Sequence, residues 1–267
     1  LIDKMIKILK PGETYEARFD WKGFLLPYVD NEDESKDDRE LYLHGDESHR
    51  PGYTLQELFR LARSIVLQQR VSAISAISGI LNIYNQGYYD GILELPISKI
   101  FFFLRFALDE NTPVIIEASA KALSYLFYNE TDETMLDILY ETKNGFIQPL
   151  MDNCVVNEKV SEEFEDITAK VKLFESSAED FIDADEREKE SVNDFHMAEV
   201  NLVECLMRTN IIERISYILT TTKPDEKCLQ YCVKILIRIA RSRHEFAVRI
   251  NNKRNLLECL IRQYLPA

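Results

Sequence analysis

Within six residues, His44, Asp46, Glu47 and His49 set two imidazoles beside two carboxylates, the side chains that bind divalent metals or move protons. A metal-dependent hydrolase built on His44, Asp46 and His49 is one reading of that cluster. A catalytic metal, however, needs ligands converging from a rigid scaffold with a coordination position left open, and neighbours in a short polar stretch point in divergent directions. The same string fits a plainer local role. Gly45 and Gly52 permit turns, Pro51 precedes Gly52, and Thr54 with Glu57 makes the Thr-x-x-Glu pattern of a capping box. The stretch "LYLHGDESHRPGYTLQELFRLARS", residues 41 to 64, therefore predicts a turn that leads into a helix capped by Thr54.

Other chemistry is poorly represented. The sequence has no G-x-S-x-G elbow, no G-x-x-x-x-G-K-[ST] phosphate loop, no G-x-G-x-x-G and no H-E-x-x-H. His196 and His244 stand singly on helical segments. Cys228 and Cys232 are four apart on one helix, but a zinc site needs two further ligands and no second pair stands nearby. The five cysteines are an odd number and mostly lie in apolar helical patterns, which fits small core residues in a reduced, intracellular compartment. The reading is of a protein that is not an enzyme and holds no metal or cofactor.

The elements that position these residues are helical. Eight glycines and eight prolines in 267 residues are few, and apolar side chains recur at helical rather than alternating spacing. A small residue followed by two larger apolar ones, at steps of four and three, occurs three times: Ala73, Ile77, Ile80; Ser119, Leu123, Leu126; and Cys232, Leu236, Ile239. Each triple follows another amphipathic segment, marked by Leu55, Leu58 and Leu61, by Ile97, Ile100, Phe101 and Leu104, and by Ile211, Ile215 and Ile218. The small position suits close helix crossing, with the larger residues filling the groove on adjacent turns. The first two units are offset by 46 residues, a period of armadillo and HEAT arrays. The expectation is an all-α, armadillo/HEAT-like helical-repeat solenoid with a short N-terminal β-hairpin.

That hairpin is read in "YEARFDWKGFLLPYV": Ala17 to Asp20 extended, a turn over Asp20-Trp21-Lys22-Gly23 with Gly23 free to take positive φ, and a return from Phe24. A lone hairpin is marginal in water, so Phe19 and Phe24 are expected to pack against a helix. The organisation expected is residues 1–53 for a preceding helix end, the hairpin and an acidic loop; 54–156 for helical repeats; 157–194 for an acidic insertion or linker; and 195–267 for repeats continuing. The chain starts at Leu1 inside an apparent helix, the pattern of a piece of a longer protein.

The net charge of −14 is confined to two places. Residues 30 to 40 hold seven acids against two bases, and residues 157 to 194 hold fourteen against five, with Phe164, Phe174 and Phe181 among them. The rest is neutral, which argues against binding nucleic acid through a general positive field. The apolar run "GILELPISKIFFFLRFAL" is interrupted by Glu94, Pro96, Lys99 and Arg105, so it does not read as a membrane span. Residues 234 to 254 are locally basic through Lys234, Arg238, Arg241, Arg243, Arg249, Lys253 and Arg254 against Glu245 alone. Such a run is either a solvated helix face, a groove for an acidic or phosphorylated partner, or a dock for the acidic insertion.

A compound pattern adds to this. "ARFDWKG" (Ala17 to Gly23), then after an acidic spacer "LHGDE" (Leu43 to Glu47), "GYTLQEL" (Gly52 to Leu58), Arg63-Ser64 and Gln69-Arg70 together resemble the C-terminal region of the RNA polymerase II-associated protein 1 family. The sequence departs from that pattern in carrying His44 alone where the family commonly has a run of histidines, and in Trp21 and Pro51. The resemblance implies a non-enzymatic scaffold in RNA polymerase II assembly and nuclear delivery, contacting polymerase subunits or assembly factors and moving between cytoplasm and nucleus. It implies a candidate interaction motif at Arg18, Asp20, His44, Asp46, Glu47 and Tyr53, either docking a partner or bracing the fold. The alternative from the helical pattern alone is an armadillo/HEAT transport-type adaptor for another cargo.

Overall fold

The structure, a computed structural model, describes residues 16–26, 51–144 and 194–264. The acidic stretches at 30–40 and 157–193, the His44 to His49 cluster and Cys154 lie outside these residues. The chain divides into two compact units, one of Leu1–Glu130 with Phe195–Ala267 and the other of Thr131–Asp194. The described residues of the second unit are helical: Asp194 and those of α5 (Glu130–Asn144) after Glu130. All that follows concerns the first unit.

Among its described residues the secondary structure is mostly helix with one two-stranded antiparallel sheet, β1 (Arg18–Phe19) against β2 (Tyr53–Thr54), in which Arg18 faces Thr54 and Phe19 faces Tyr53. The helix α1 (Leu55–Leu61) begins where β2 ends, because Thr54 is its cap. Thr54 Oγ1 accepts from the Glu57 backbone N–H at 3.2 Å, and Glu57 Oε2 accepts from the Thr54 N–H at 2.8 Å, completing the box read in the sequence.

The three triples fall on α2 (Leu67–Asn85), α4 (Pro113–Phe127) and α8 (Glu226–Ser242). Ala73, Ile77, Ile80, Ser119, Leu123, Cys232, Leu236 and Ile239 are buried, with Leu126 half-buried. Helix α4 packs against α2 and against α8, and also against α3 (Ile97–Ala107). The ends of α2 and α4 adjoin: Asn85 Nδ2 donates to the Tyr125 and Tyr128 carbonyls at 2.9 and 3.0 Å, and Asn129 Nδ2 donates to the Asn85 carbonyl at 2.9 Å. Ser119 stays buried at no polar cost, since its hydroxyl donates to the Ile115 carbonyl at 2.7 Å.

After residue 194 the helical pattern breaks into short pieces at its asparagines. Asn201 caps α6 (Leu202–Arg208) by accepting from the Glu204 N–H at 3.1 Å, and Asn210, in the left-handed region at φ 54°, separates it from α7 (Ile211–Tyr217). A π-helical turn, Ile218–Thr222, follows α7, and Asp225 caps α8. Two shorter helices, α9 (His244–Asn251) and α10 (Arg254–Cys259), follow, and then a π turn, Leu260–Tyr264. Among the described residues Cys205, Cys228, Cys232 and Cys259 are free thiols and buried. No helix among them is long and apolar enough to cross a membrane.

Candidate interaction surface

The turn expected at Asp20 to Gly23 is present and is held from inside. The Asp20 carboxylate accepts from the Lys22 N–H at 2.9 Å and the Phe24 N–H at 2.7 Å, while the Asp20 N–H donates to the Phe24 carbonyl at 2.9 Å. An aspartate able to mimic a backbone turn is what this geometry requires. The chain then returns through a single bridge between Phe19 and Leu25, and the strand that pairs with Arg18–Phe19 in the sheet is the one leading into α1.

This turn lies on α2. Gly23 has φ +92°, and a side chain there would run into the backbone of Gly79 and Ile80; a Cβ on Gly79 would in turn collide with the Lys22 carbonyl oxygen. Two backbones thus touch where both residues lack side chains. Beside the contact, the buried Tyr89 hydroxyl donates to the Gly23 carbonyl at 2.7 Å and accepts from the Leu25 N–H at 3.0 Å. Burial raises the Tyr89 pKa, so the phenol is held in the protonated form that can donate. Phe19 is fully buried, its ring edge-on to that of Tyr89 at 6.4 Å between centroids.

One expectation fails here: Phe24 does not pack against a helix but is 56% exposed. The hydrogen bonds that close the turn run through its backbone, and they leave the ring on the outer side of the loop.

Of the candidate motif residues, Arg18 is 3% exposed and donates from Nη1 to the Gly52 carbonyl at 3.3 Å, and its own carbonyl accepts from Leu26 N–H at 2.8 Å. Leu26 and Gly52 therefore both bond to Arg18. Asp20 is half-buried and occupied by the turn. Tyr53 is half-buried and lines a hollow of about 280 Å³ together with Trp21, Leu58 and Leu61; Trp21 is largely exposed at its edge. His44, Asp46 and Glu47 lie outside the described residues, and among those described no group of three or more His, Cys, Asp or Glu could hold a metal.

The basic segment is divided between ion pairs and open surface. Arg243 meets Glu204 at 3.0 Å, Lys253 meets Glu213 at 2.8 Å and Lys234 meets Glu130 at 2.7 Å. The Lys253 hydrogen bond lowers the Glu213 pKa, and that of Lys234 lowers the Glu130 pKa. Arg241, Arg249 and Arg254 are exposed and Arg238 is half-buried.

An arginine seam was not anticipated. The side chain of Arg105, buried on α3, donates from Nε to Thr209 Oγ1 at 2.9 Å, from Nη2 to the Thr209 carbonyl at 2.6 Å and from Nη1 to Asp109 at 2.6 Å. Arg214 on α7 answers from the other direction, reaching the Leu108 carbonyl from Nε at 2.8 Å and the Glu110 carbonyl from Nη2 at 2.7 Å. Arg214 thus caps carbonyls just past the end of α3 and Arg105 the Thr209 carbonyl just past the end of α6, and together they tie residues 105–111 to 209–214. The available signal was weak: two arginines on otherwise apolar helix faces.

The geometry is that of a helical body whose N-terminal turn is clamped to its first long helix, and that turn lies in the part of the chain that is similar to a known family. Residues 16–85 match the family model described as "RPAP1-like, C-terminal", which takes in the turn, β2, α1 and α2. The whole chain is similar to RNA polymerase II-associated protein 1 of rat and of human, each 31% identical over 262 residues, and to the bovine protein at 30%. The alignments cover 95% of this chain and 18% of each relative, so the chain spans less than a fifth of the proteins it matches. The resemblance read from the motif is thus shown. No solved structure matches the chain.

Proposed function

We propose that this chain is a non-enzymatic interaction scaffold acting in RNA polymerase II assembly and delivery to the nucleus, with residence in both cytoplasm and nucleus. The observation that carries the proposal is the similarity to RNA polymerase II-associated protein 1 over 95% of the chain, anchored by the family match at residues 16–85. Its partners on this reading are polymerase II subunits or their assembly factors, without direct contact to nucleic acid or membrane. An armadillo/HEAT-like array is the proposed architecture. It is supported by α4 packing against both α2 and α8, by the small-residue position that these helices share, and by the adjoining ends of α2 and α4.

Within the motif we assign bracing to Arg18, which donates to the Gly52 carbonyl, and to Asp20, whose carboxylate is used inside the turn. Docking is assigned to Tyr53 beside Trp21 and to His44, Asp46 and Glu47 in the segment between Leu26 and Gly52. The basic segment contributes contacts to acidic or phosphorylated groups, chiefly through the exposed Arg249 and Arg254, with Arg238, Arg241, Arg243 and Lys253 around them.

The test is affinity capture from cell extract with the intact chain and with a Tyr53→Ala, His44→Ala, Glu47→Ala variant, read by mass spectrometry. Polymerase II subunits or assembly factors are expected with the intact chain and depleted with the variant. Recovery of none, or of import receptors with unrelated cargo, contradicts the proposal.

A further inference from the structure

Between α1 and α3 runs a groove of about 980 Å³ that the motif does not include. Its floor is aromatic: Phe59, Phe102, Phe103, Phe106 and Phe195. Phe59 and Phe103 lie 5.3 Å apart, and Phe102 and Phe195 4.9 Å apart. Phe106 is 71% exposed, a large apolar area to leave in water on a helix otherwise facing a core. The rim is cationic. Arg60, Arg63 and Lys99 are exposed along it, and among the described residues none of the three pairs with a carboxylate. Arg63 lies over the Phe103 ring at 5.9 Å, so one cation already sits at the aromatic face. The groove's own acid, Glu110, is taken by Arg70 at 3.4 Å.

We propose that this groove binds an acidic peptide segment of a partner protein, one that carries large apolar side chains among its carboxylates. Apolar anchors enter between the phenylalanines and remove Phe106 from water, while carboxylates meet Arg60, Arg63 and Lys99 at the edge. Neither half suffices alone. Exposed cations hold a polyanion weakly and lose it to salt, and an apolar floor by itself does not choose among partners. The assignment rests on the chemistry of the groove and not on the polymerase reading, so either can fail without the other.

The probe is a fluorescein-labelled peptide of about 16 residues, some four turns if helical, with phenylalanine at every fourth position among aspartates and glutamates. Its binding to the full chain is followed by anisotropy. Arg60→Glu with Arg63→Glu should weaken binding about tenfold or more, and Phe106→Ser about fivefold, with thermal midpoints unchanged because all three side chains are exposed. Lys99→Glu serves as an independent second reversal. A probe with serine for phenylalanine, or glutamine for the acids, should bind about tenfold more weakly. Equal binding of the phenylalanine-free probe, or charge reversals within about twofold of the unaltered chain, would overturn the proposal.

Two other occupants have their own signatures. If Phe164→Ser, Phe174→Ser and Phe181→Ser together tighten the probe about tenfold, the chain's own acidic segment competes for the groove. If sedimentation finds a dimer that Phe106→Ser dissociates, the occupant is a second copy. Either result contradicts assignment to a partner; unchanged affinity and a monomer support it.

Discussion

The N-terminal turn and the arginine seam do the same mechanical job with opposite materials. At the turn, two glycines let backbone meet backbone, and Asp20 and Tyr89 satisfy the peptide groups around the contact. At the seam, two long side chains bridge segments about a hundred residues apart: Arg214 reaches the Leu108 and Glu110 carbonyls just past the end of α3, and Arg105 reaches the Thr209 carbonyl just past the end of α6. The turn tolerates no added atom. The seam depends on planar, multiply donating groups. The first should therefore be sensitive to volume and the second to charge and fork geometry.

Adding volume at the turn is expected to have the largest effect. Gly79→Val should cost about 3 kcal/mol or more in urea unfolding, since the new side chain must displace the Lys22 backbone. At the seam, Arg214→Ala should cost about 2 to 4 kcal/mol, because two carbonyls lose charged donors in a largely buried place. Arg214→Lys should recover less than half of that loss, as one ammonium cannot follow both directions of the fork; full recovery would reduce the seam to simple charge.

Smaller effects sharpen the contrast. Tyr89→Phe should cost about 1 to 3 kcal/mol by removing two hydrogen bonds to the turn while keeping the ring against Phe19. The pH dependence follows from the raised pKa of Tyr89. Its contribution is complete below the ordinary tyrosine range near pH 10 and is lost as pH rises through the higher folded value. The Tyr89→Phe deficit should thus stay constant through neutral pH and shrink only in strong alkali. Thr54→Ala should cost about 1 kcal/mol through the lost cap. Lys253→Ala, breaking an exposed pair with Glu213, should move stability by at most about 0.5 kcal/mol.

The same contrast explains what could be read before the structure. Helix periodicity announced itself, because Ala73, Ile77 and Ile80 or Cys232, Leu236 and Ile239 repeat at the spacing of a helix face. The capping box at Thr54 and Glu57, and Gly23 at positive φ, were legible because each needs only its near neighbours. Contacts made across the fold were not. Gly79 inside a helix carries no mark of the turn it receives, and Arg105 or Arg214 looks like any arginine until Thr209 and Leu108 are placed beside it. Phe24 went wrong for a related reason. Its hydrophobicity suggested burial, while the backbone bonds that close the turn decided its direction. For the candidate surface, the string of motif residues could be recognised as a whole, but the division of Arg18 and Asp20 from Tyr53 required knowing that Gly52 occupies one and the turn the other.

The central claim, that the Asp20 to Gly23 turn is clamped to α2 by contact at Gly79, is tested most directly by urea unfolding of Gly79→Ala. Helix propensity alone favours alanine over glycine by about 1 kcal/mol in a helix interior. The clamp predicts the opposite sign, a lower midpoint than the unaltered chain, because the added methyl group collides with the Lys22 carbonyl. A midpoint that rises, as propensity would have it, would contradict the account.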